Sequence, residues 1–168
     1  MPKLIKRDRV VEDDWVVLPA TATLVDVALH DRVIVPFMLW SSERDALRAR
    51  GDVGVWLTPT DEPGLLADDL QHLPVIAVDF PKFGDGRGFS TARLLRDRYG
   101  FEGELRAIGD VFRDQLFFMV ECGFDAFAVR QDLDPEKELA GLAVFNRTYA
   151  HSVRTARPWF RERALAAK

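Results

Sequence analysis

The sequence predicts an α/β protein, with about five consecutive β-α units forming a mainly parallel sheet. The closure expected is an incomplete TIM-barrel-like one, with an open doubly wound sheet as the alternative, and an N-terminal β-hairpin precedes it. Three observations carry this. From Arg32 onward, short runs rich in Val, Ile and Phe alternate with helix-like stretches. Pro, Gly or an N-capping residue punctuates each junction. Parallel neighbours need crossover connections, which the helical stretches supply. At 168 residues the chain falls short of the roughly 200–250 residues of a closed barrel.

The elements follow in order. Leu4-Ile5 and Val10-Val11 flank a turn at Lys6–Arg9 and read as a hairpin, to which Trp15–Leu18 adds a third strand. Residues 19–31 read as loop. Val33–Val35 is a strand ended by Pro36, and Ser41 or Ser42 caps a helix that runs to Arg50 and stops at Gly51. Val53–Leu57 is the next strand, followed by a helix capped by Asp61 with Pro63 in its first turn. Val75–Asp79 is the third strand, with its helix starting at Ser90 or Thr91 and closing at Gly100. Glu104–Ile108 is the fourth. Asp110 then caps a helix that is apolar on nearly every side, from Val111 to Val120, and so must be covered on more than one face. Phe124–Val129 is the fifth strand, and Asp134-Pro135 opens the last helix, whose inner face carries Leu139, Leu142, Ala143 and Phe145 or Asn146. One domain is expected: residues 1–31 hairpin and loop, 32–150 the β/α core, 151–168 a basic tail.

Composition narrows the function. With 48% hydrophobic and 30% charged residues the chain reads as a globular domain. No apolar run approaches the roughly 20 residues of a membrane span, so no membrane partner is expected. Cys122 is the single cysteine, which excludes an intrachain disulfide. No apolar segment follows the N-terminal charges, so a cytoplasmic location is expected. A net charge of −4 argues against nucleic-acid binding. His30, His72 and His151 share no ligand spacing with one another or with Cys122, so no metal site is expected. Cys122, at the end of an apolar helix, reads as a buried inert thiol.

The candidate site is the loop after the third strand, Asp79-Phe80-Pro81-Lys82-Phe83-Gly84-Asp85-Gly86-Arg87-Gly88-Phe89-Ser90. Lys82 and Arg87 supply cations, the glycines let backbone approach closely, and the following helix offers free amides. These could hold a small oxyanion, with Arg93 and Arg96, three apart on one helical face, extending the pocket. Asp79, Asp85 and Ser90 complete that candidate set. The plain alternative is a tight turn with Lys82–Asp79 or Arg87–Asp85 ion pairs. A dinucleotide site fits poorly, because Gly84, Gly86 and Gly88 lack the G-x-G-x-x-G spacing. Asp110, Arg113 and Gln115 form a secondary candidate, with Asp114 four residues from Asp110; the plain reading is a cap and an Arg113–Asp97 ion pair. No cofactor is evident, and a flavin stays open.

Two resemblances bear on this. Residues 104–130 resemble the last two units of flavin-binding barrel oxidoreductases, without the glycine expected after the fifth strand. The ordered segments Val11–Trp15, Asp79–Phe83, Asp85–Gly88, Ala92–Arg96, Gly109–Val111 and Arg113–Leu116 resemble a bacterial family labelled as a domain of unknown function, or as an oxidoreductase involved in sulfite reduction. That resemblance runs from Leu4 to Tyr149. It implies an accessory protein of assimilatory sulfite or sulfate reduction, binding a small oxyanion or a partner such as sulfite reductase or its electron donor; the alternative it leaves is a flavin- or nicotinamide-dependent oxidoreductase. It brings no catalytic residues with it. Acidic residues 110–138 and basic residues 147–168 fit a docking function, and the apolar helix 111–120 leads us to expect a homodimer.

Overall fold

The computed structural model describes residues 2–82, 84–143, 152 and 153. Its frame is one eight-stranded mixed sheet in the order β2-β1-β8-β7-β6-β5-β4-β3. The strands are β1 (Lys3–Lys6), β2 (Arg9–Glu12), β3 (Val16–Val17), β4 (Val33–Pro36), β5 (Val53–Leu57), β6 (Val75–Phe80), β7 (Glu104–Gly109) and β8 (Ala126–Phe127). From β3 to β8 each strand lies parallel to the next in chain order. That order has no reversal, so it lacks the switch point of a doubly wound sheet. The hairpin β1–β2 is antiparallel and joins through β1 to β8.

Three residues decide the shape. The chain passes from β2, one edge of the sheet, to β3, the opposite edge, through Asp13-Asp14-Trp15 alone. Such a link spans at most about 14 Å. A flat sheet of eight strands is roughly 34 Å wide. The sheet therefore curls into a half-barrel.

Residue alternation assigns the two faces. Val33, Val35, Val53, Val55, Leu57, Ile76, Val78, Phe80, Leu105, Ala107 and Phe127 face the convex side and form the main core with the helices. Ile34, Val75, Ala77 and Ile108 face the concave side, packed with Trp15, Trp56 and Ala128. Gly54 lies between, where an added Cβ would fall 2.8 Å from the Val75 carbonyl oxygen.

Several expectations are corrected. Trp15–Leu18 does not extend the hairpin; β3 pairs parallel with β4, with Val16 opposite Val33. A sixth parallel strand results, so the expected count of five strand–helix units does not hold. Between β5 and β6 the connection contains two 3₁₀ turns, Pro63–Leu66 and Leu70–His72, in place of an α-helix. Asp61 does not cap it; its Oδ2 accepts from the Thr58 amide. Ser41 and Ser42 end helix α2 (Phe37–Ser42) rather than start one, after α1 (Leu24–Ala28) and before α3 (Arg44–Arg48). Helix α4 (Arg87–Arg93) starts before Ser90 and continues as a π-helix, Leu94–Arg98. Helix α5 (Arg113–Cys122) is not capped by Asp110; Gln115 Oε1 accepts from the Phe112 amide there. Gly123, at φ +108, closes it in the left-handed conformation expected of a glycine stop. Asp134 caps α6 (Pro135–Glu138) through a hydrogen bond from the Glu136 amide, and a 3₁₀ turn, Leu139–Ala143, follows. The basic tail, apart from Ser152 and Val153, and Phe83, Phe145, Asn146 and His151 lie outside the described residues. Among the described residues no helix is long and apolar enough to cross a membrane.

Candidate functional site

Parallel strands of a barrel-like sheet open at their C-terminal ends, and the loops that follow them carry the chemistry such sheets support. Here that pole holds the residues after Pro36, Leu57, Phe80, Gly109 and Phe127, including the predicted loop.

Asp79 lies opposite Ile108 on the concave face of β6, one residue before the strand ends. It is half-buried, and burial pushes its carboxyl above the usual range. No ion pair or hydrogen bond engages it among the described residues. Beneath it runs Gly109, at φ +90: an added Cβ would lie 2.5 Å from Asp79 Oδ1 and 2.6 Å from the Phe80 carbonyl oxygen. The Asp110 amide donates to that same carbonyl at 2.7 Å, which turns the chain over the carboxyl.

The remaining predicted residues do not converge into one pocket. Lys82 is exposed, beyond the strand end. Arg87 is bound by Asp85: Nε donates to Oδ1 at 2.9 Å and a terminal nitrogen to Oδ2 at 2.6 Å. Those hydrogen bonds hold the Asp85 carboxyl at about 2. Arg93 donates to Asp97 at 3.0 Å, one helical turn on. Ser90 is exposed on α4.

Arg96 belongs to the other pole. The π-helical turn swings it inward, where it donates to the carbonyl oxygens of Gly123, Phe101 and Gly103 and to Asp125 Oδ2. Gly103 and Gly123 precede β7 and β8, so Arg96 ties together the N-terminal ends of those strands. It does not extend a pocket around Lys82 and Arg87.

The secondary candidates are dispersed. Asp110 pairs with Arg130 at 3.3 Å. Arg130 also binds Asp132 and sits over the Phe112 ring, 5.0 Å from its centroid. Arg113 is exposed, and its amide donates to Glu138 Oε2 at 2.7 Å; Asp97, its expected partner, binds Arg93. Asp110 precedes α5 and Asp114 lies within it, exposed, so the two share no helical face. A cavity of about 490 Å³ lies between the ends of β7 and β8, lined by Gly109 and residues 128–132.

Sequence reasoning missed two charged networks and one surface. Arg106, on the concave face and 1% exposed, binds Asp13 and Glu104, and Lys6 reaches Glu104 from β1 at 2.7 Å. Asp69, fully buried, takes Trp40 Nε1 at 3.0 Å together with Arg44 and Arg48. The surface is aromatic. Rings of Phe124, Phe80, Phe89 and Phe118 stack outward at 5.8, 5.2 and 4.9 Å, and Phe118 ends the series 55% exposed. The one signal for Phe118 was its place on a helix apolar all round. Cys122 is buried, which pushes its thiol up to about 11. No group of three or more His, Cys, Asp or Glu side chains gathers as metal ligands among the described residues.

A family model described as a bacterial protein of unknown function (DUF934) matches residues 54–160, from β5 past Tyr149, where the resemblance read from the sequence had stopped. No curated protein matches the chain.

Proposed function

We propose that this chain, which belongs to the DUF934 family of bacterial proteins of unknown function, is an accessory protein of assimilatory sulfite or sulfate reduction that docks on sulfite reductase or on its electron donor. The sulfite context comes from the resemblance of its Asp79–Phe83 and Asp85–Gly88 segments. The choice of docking over capture of a free oxyanion rests on one observation: the guanidinium groups of the candidate loop and helix are already engaged by Asp85, by Asp97, and by carbonyls at the far pole.

The face that supports docking is α4 with its π-helical extension. With the inward-turned Arg96 set aside, residues 82–98 hold Lys82, Arg87, Arg93 and Arg98 against Asp85 and Asp97, a positive excess in a chain of net charge −4. Leu94 of the extension is exposed, and so is Phe118 of α5, whose ring meets Phe89 of α4. An aromatic anchor rimmed by arginines is the composition that concentrates binding energy at protein interfaces. An acidic partner surface is complementary to it.

The test is a hydrogen-exchange footprint of the chain mixed with purified sulfite reductase, and separately with its electron donor. Protection over residues 87–98 and 113–120 is expected with one of them. Protection confined to other segments would reject this face. A second copy of the chain is the competing occupant, and light scattering of the chain alone distinguishes it: a dimer that Phe118→Ser dissolves would assign the patch to self-association.

A further inference from the structure

A cavity of about 800 Å³ lies at the N-terminal pole of the strands, the end opposite the predicted loop. The β1–β2 turn, the end of α5 and the 3₁₀ turn after α6 surround it. Its wall is apolar: Val120, Phe124, Leu139, Ala140, Leu142 and Val153. Val120, Leu139 and Leu142 pack against the core and yet stay only partly buried. Asp8, Asp125 and Glu136 stand at the rim against one cation, Arg7. Asp125 is held by Arg96, but Asp8 and Glu136 meet only Arg9 and Lys3, at 3.7 and 3.8 Å. An apolar wall of this extent with a few charges at its edge has the form of a binding site.

The chain itself leads to this cavity. Ser152 is 4% exposed, and Val153 forms part of the wall, its amide donating to the Glu121 carbonyl at 3.1 Å. Six residues further on stands Trp159, followed by Phe160. Six residues reach at most about 20 Å, more than the width of a cavity of this volume. Residues 154–163 carry Arg154, Arg157, Arg161 and Arg163 against Glu162 alone, opposite in sign to a rim whose acids outnumber its cation. Glu121 adds a further acceptor: its Oε2 is buried and has no partner among the described residues, and an arginine just after Val153 is the donor such an oxygen lacks. The family match, too, extends to residue 160 and so takes in Trp159 and Phe160.

We propose that the segment after Val153 folds back over this cavity and seats Trp159 and Phe160 in it, with its arginines along the acidic rim. The basic tail is then an intramolecular clasp that ties α5 and the 3₁₀ turn to the β1–β2 hairpin. Its two aromatic rings supply the apolar area that the wall leaves uncovered. None of the wall residues belongs to α4 or its π-helical extension, so the clasp stands apart from what docks there.

The test is fluorine NMR of the full chain labelled with fluorotryptophan. Its four tryptophans are Trp15, Trp40, Trp56 and Trp159, and Trp159→Phe identifies the last. The Trp159 resonance should show little solvent isotope shift between H₂O and D₂O, whatever the protein concentration. Leu142→Asp, in the cavity wall, should give it the full shift of an exposed indole and leave the other three resonances in place. If Leu142→Asp disturbs all four, Ala140→Arg, at an exposed position of the same wall, replaces it with the same expected outcome. A Trp159 that shows the full isotope shift in the wild type overturns the proposal. So does a protected Trp159 that the wall substitution leaves unmoved. Protection that appears only as concentration rises would place a second copy's segment in the cavity, and the intramolecular clasp fails.

Discussion

Arg106 holds Asp13 by two hydrogen bonds, 3.0 and 2.8 Å, across 93 positions of the chain. The pair fastens the link that joins the two edges of the sheet. Asp13 leaves β2, Arg106 stands on β7, and Glu104 braces the guanidinium from the same strand at 2.8 Å. Beside it, Asp14 pairs with Arg32, whose guanidinium lies 5.9 Å from the Trp15 ring centroid. The curl of the half-barrel is thus secured by charge on its concave side and by apolar packing on its convex side.

Removing one member of a buried ion pair strands the other. Arg106→Met should therefore cost about 3 kcal/mol by that principle, read from the urea midpoint. A loss below about 1 kcal/mol, the range of an exposed pair, would show that the link needs no fastening.

Gly109→Ala meets two obstacles at once, a left-handed φ and the contacts with Asp79 and the Phe80 carbonyl. It should destabilise by about 2 kcal/mol. Combining it with Asp79→Gly relieves only the side-chain contact, so part of the loss should remain. Full recovery in the double variant would mean that the backbone at residue 109 is under no constraint.

The Asp79 carboxyl titrates above its unfolded value because burial disfavours its charge. The folded state then binds the proton more tightly, so its contribution to stability is full below the unfolded pKa and is lost as pH rises through the folded one. Asp79→Asn should accordingly raise the melting temperature at pH 7 and leave it nearly unchanged at pH 3. A variant less stable than wild type at pH 7 would mean that the carboxylate has a stabilising partner.

A thiol raised to about 11 leaves roughly one molecule in a thousand as thiolate at pH 8. Cys122 should resist iodoacetamide in the native protein and react readily in urea, as mass spectrometry would record. Rapid native labelling would place it at the surface.

The strands at 33–36, 53–57 and 75–80 were legible because each is a Val- or Ile-rich run with a Pro or Gly boundary, and the one at 104–109 because a short run with Leu105, Ala107 and Ile108 lies between Gly103 and Gly109. What escaped had a different physical origin. Val16-Val17 looks like hairpin continuation, and only the three-residue crossing reveals that it pairs with β4 at the far edge. Asp110 carries the ordinary capping signal, yet Gln115 caps α5 from inside its first turn, leaving Asp110 for Arg130. Arg96 shares a helical face with Arg93 at ordinary spacing, but the π-helical turn alters that spacing and sends it to the opposite pole. The loop at 79–88 was visible as a cluster of charges. Its internal Asp85–Arg87 pairing was a matter of distance, which the sequence does not hold.

The most direct measurement is the affinity of the purified chain for purified sulfite reductase, and separately for its electron donor, at low and at physiological ionic strength. Binding to one of them should weaken as salt rises, and Lys82→Glu together with Phe118→Ser should weaken it at least tenfold at low salt, a change of about 1.4 kcal/mol. Absence of binding to both at either ionic strength, or binding that the two substitutions leave untouched, would contradict the account.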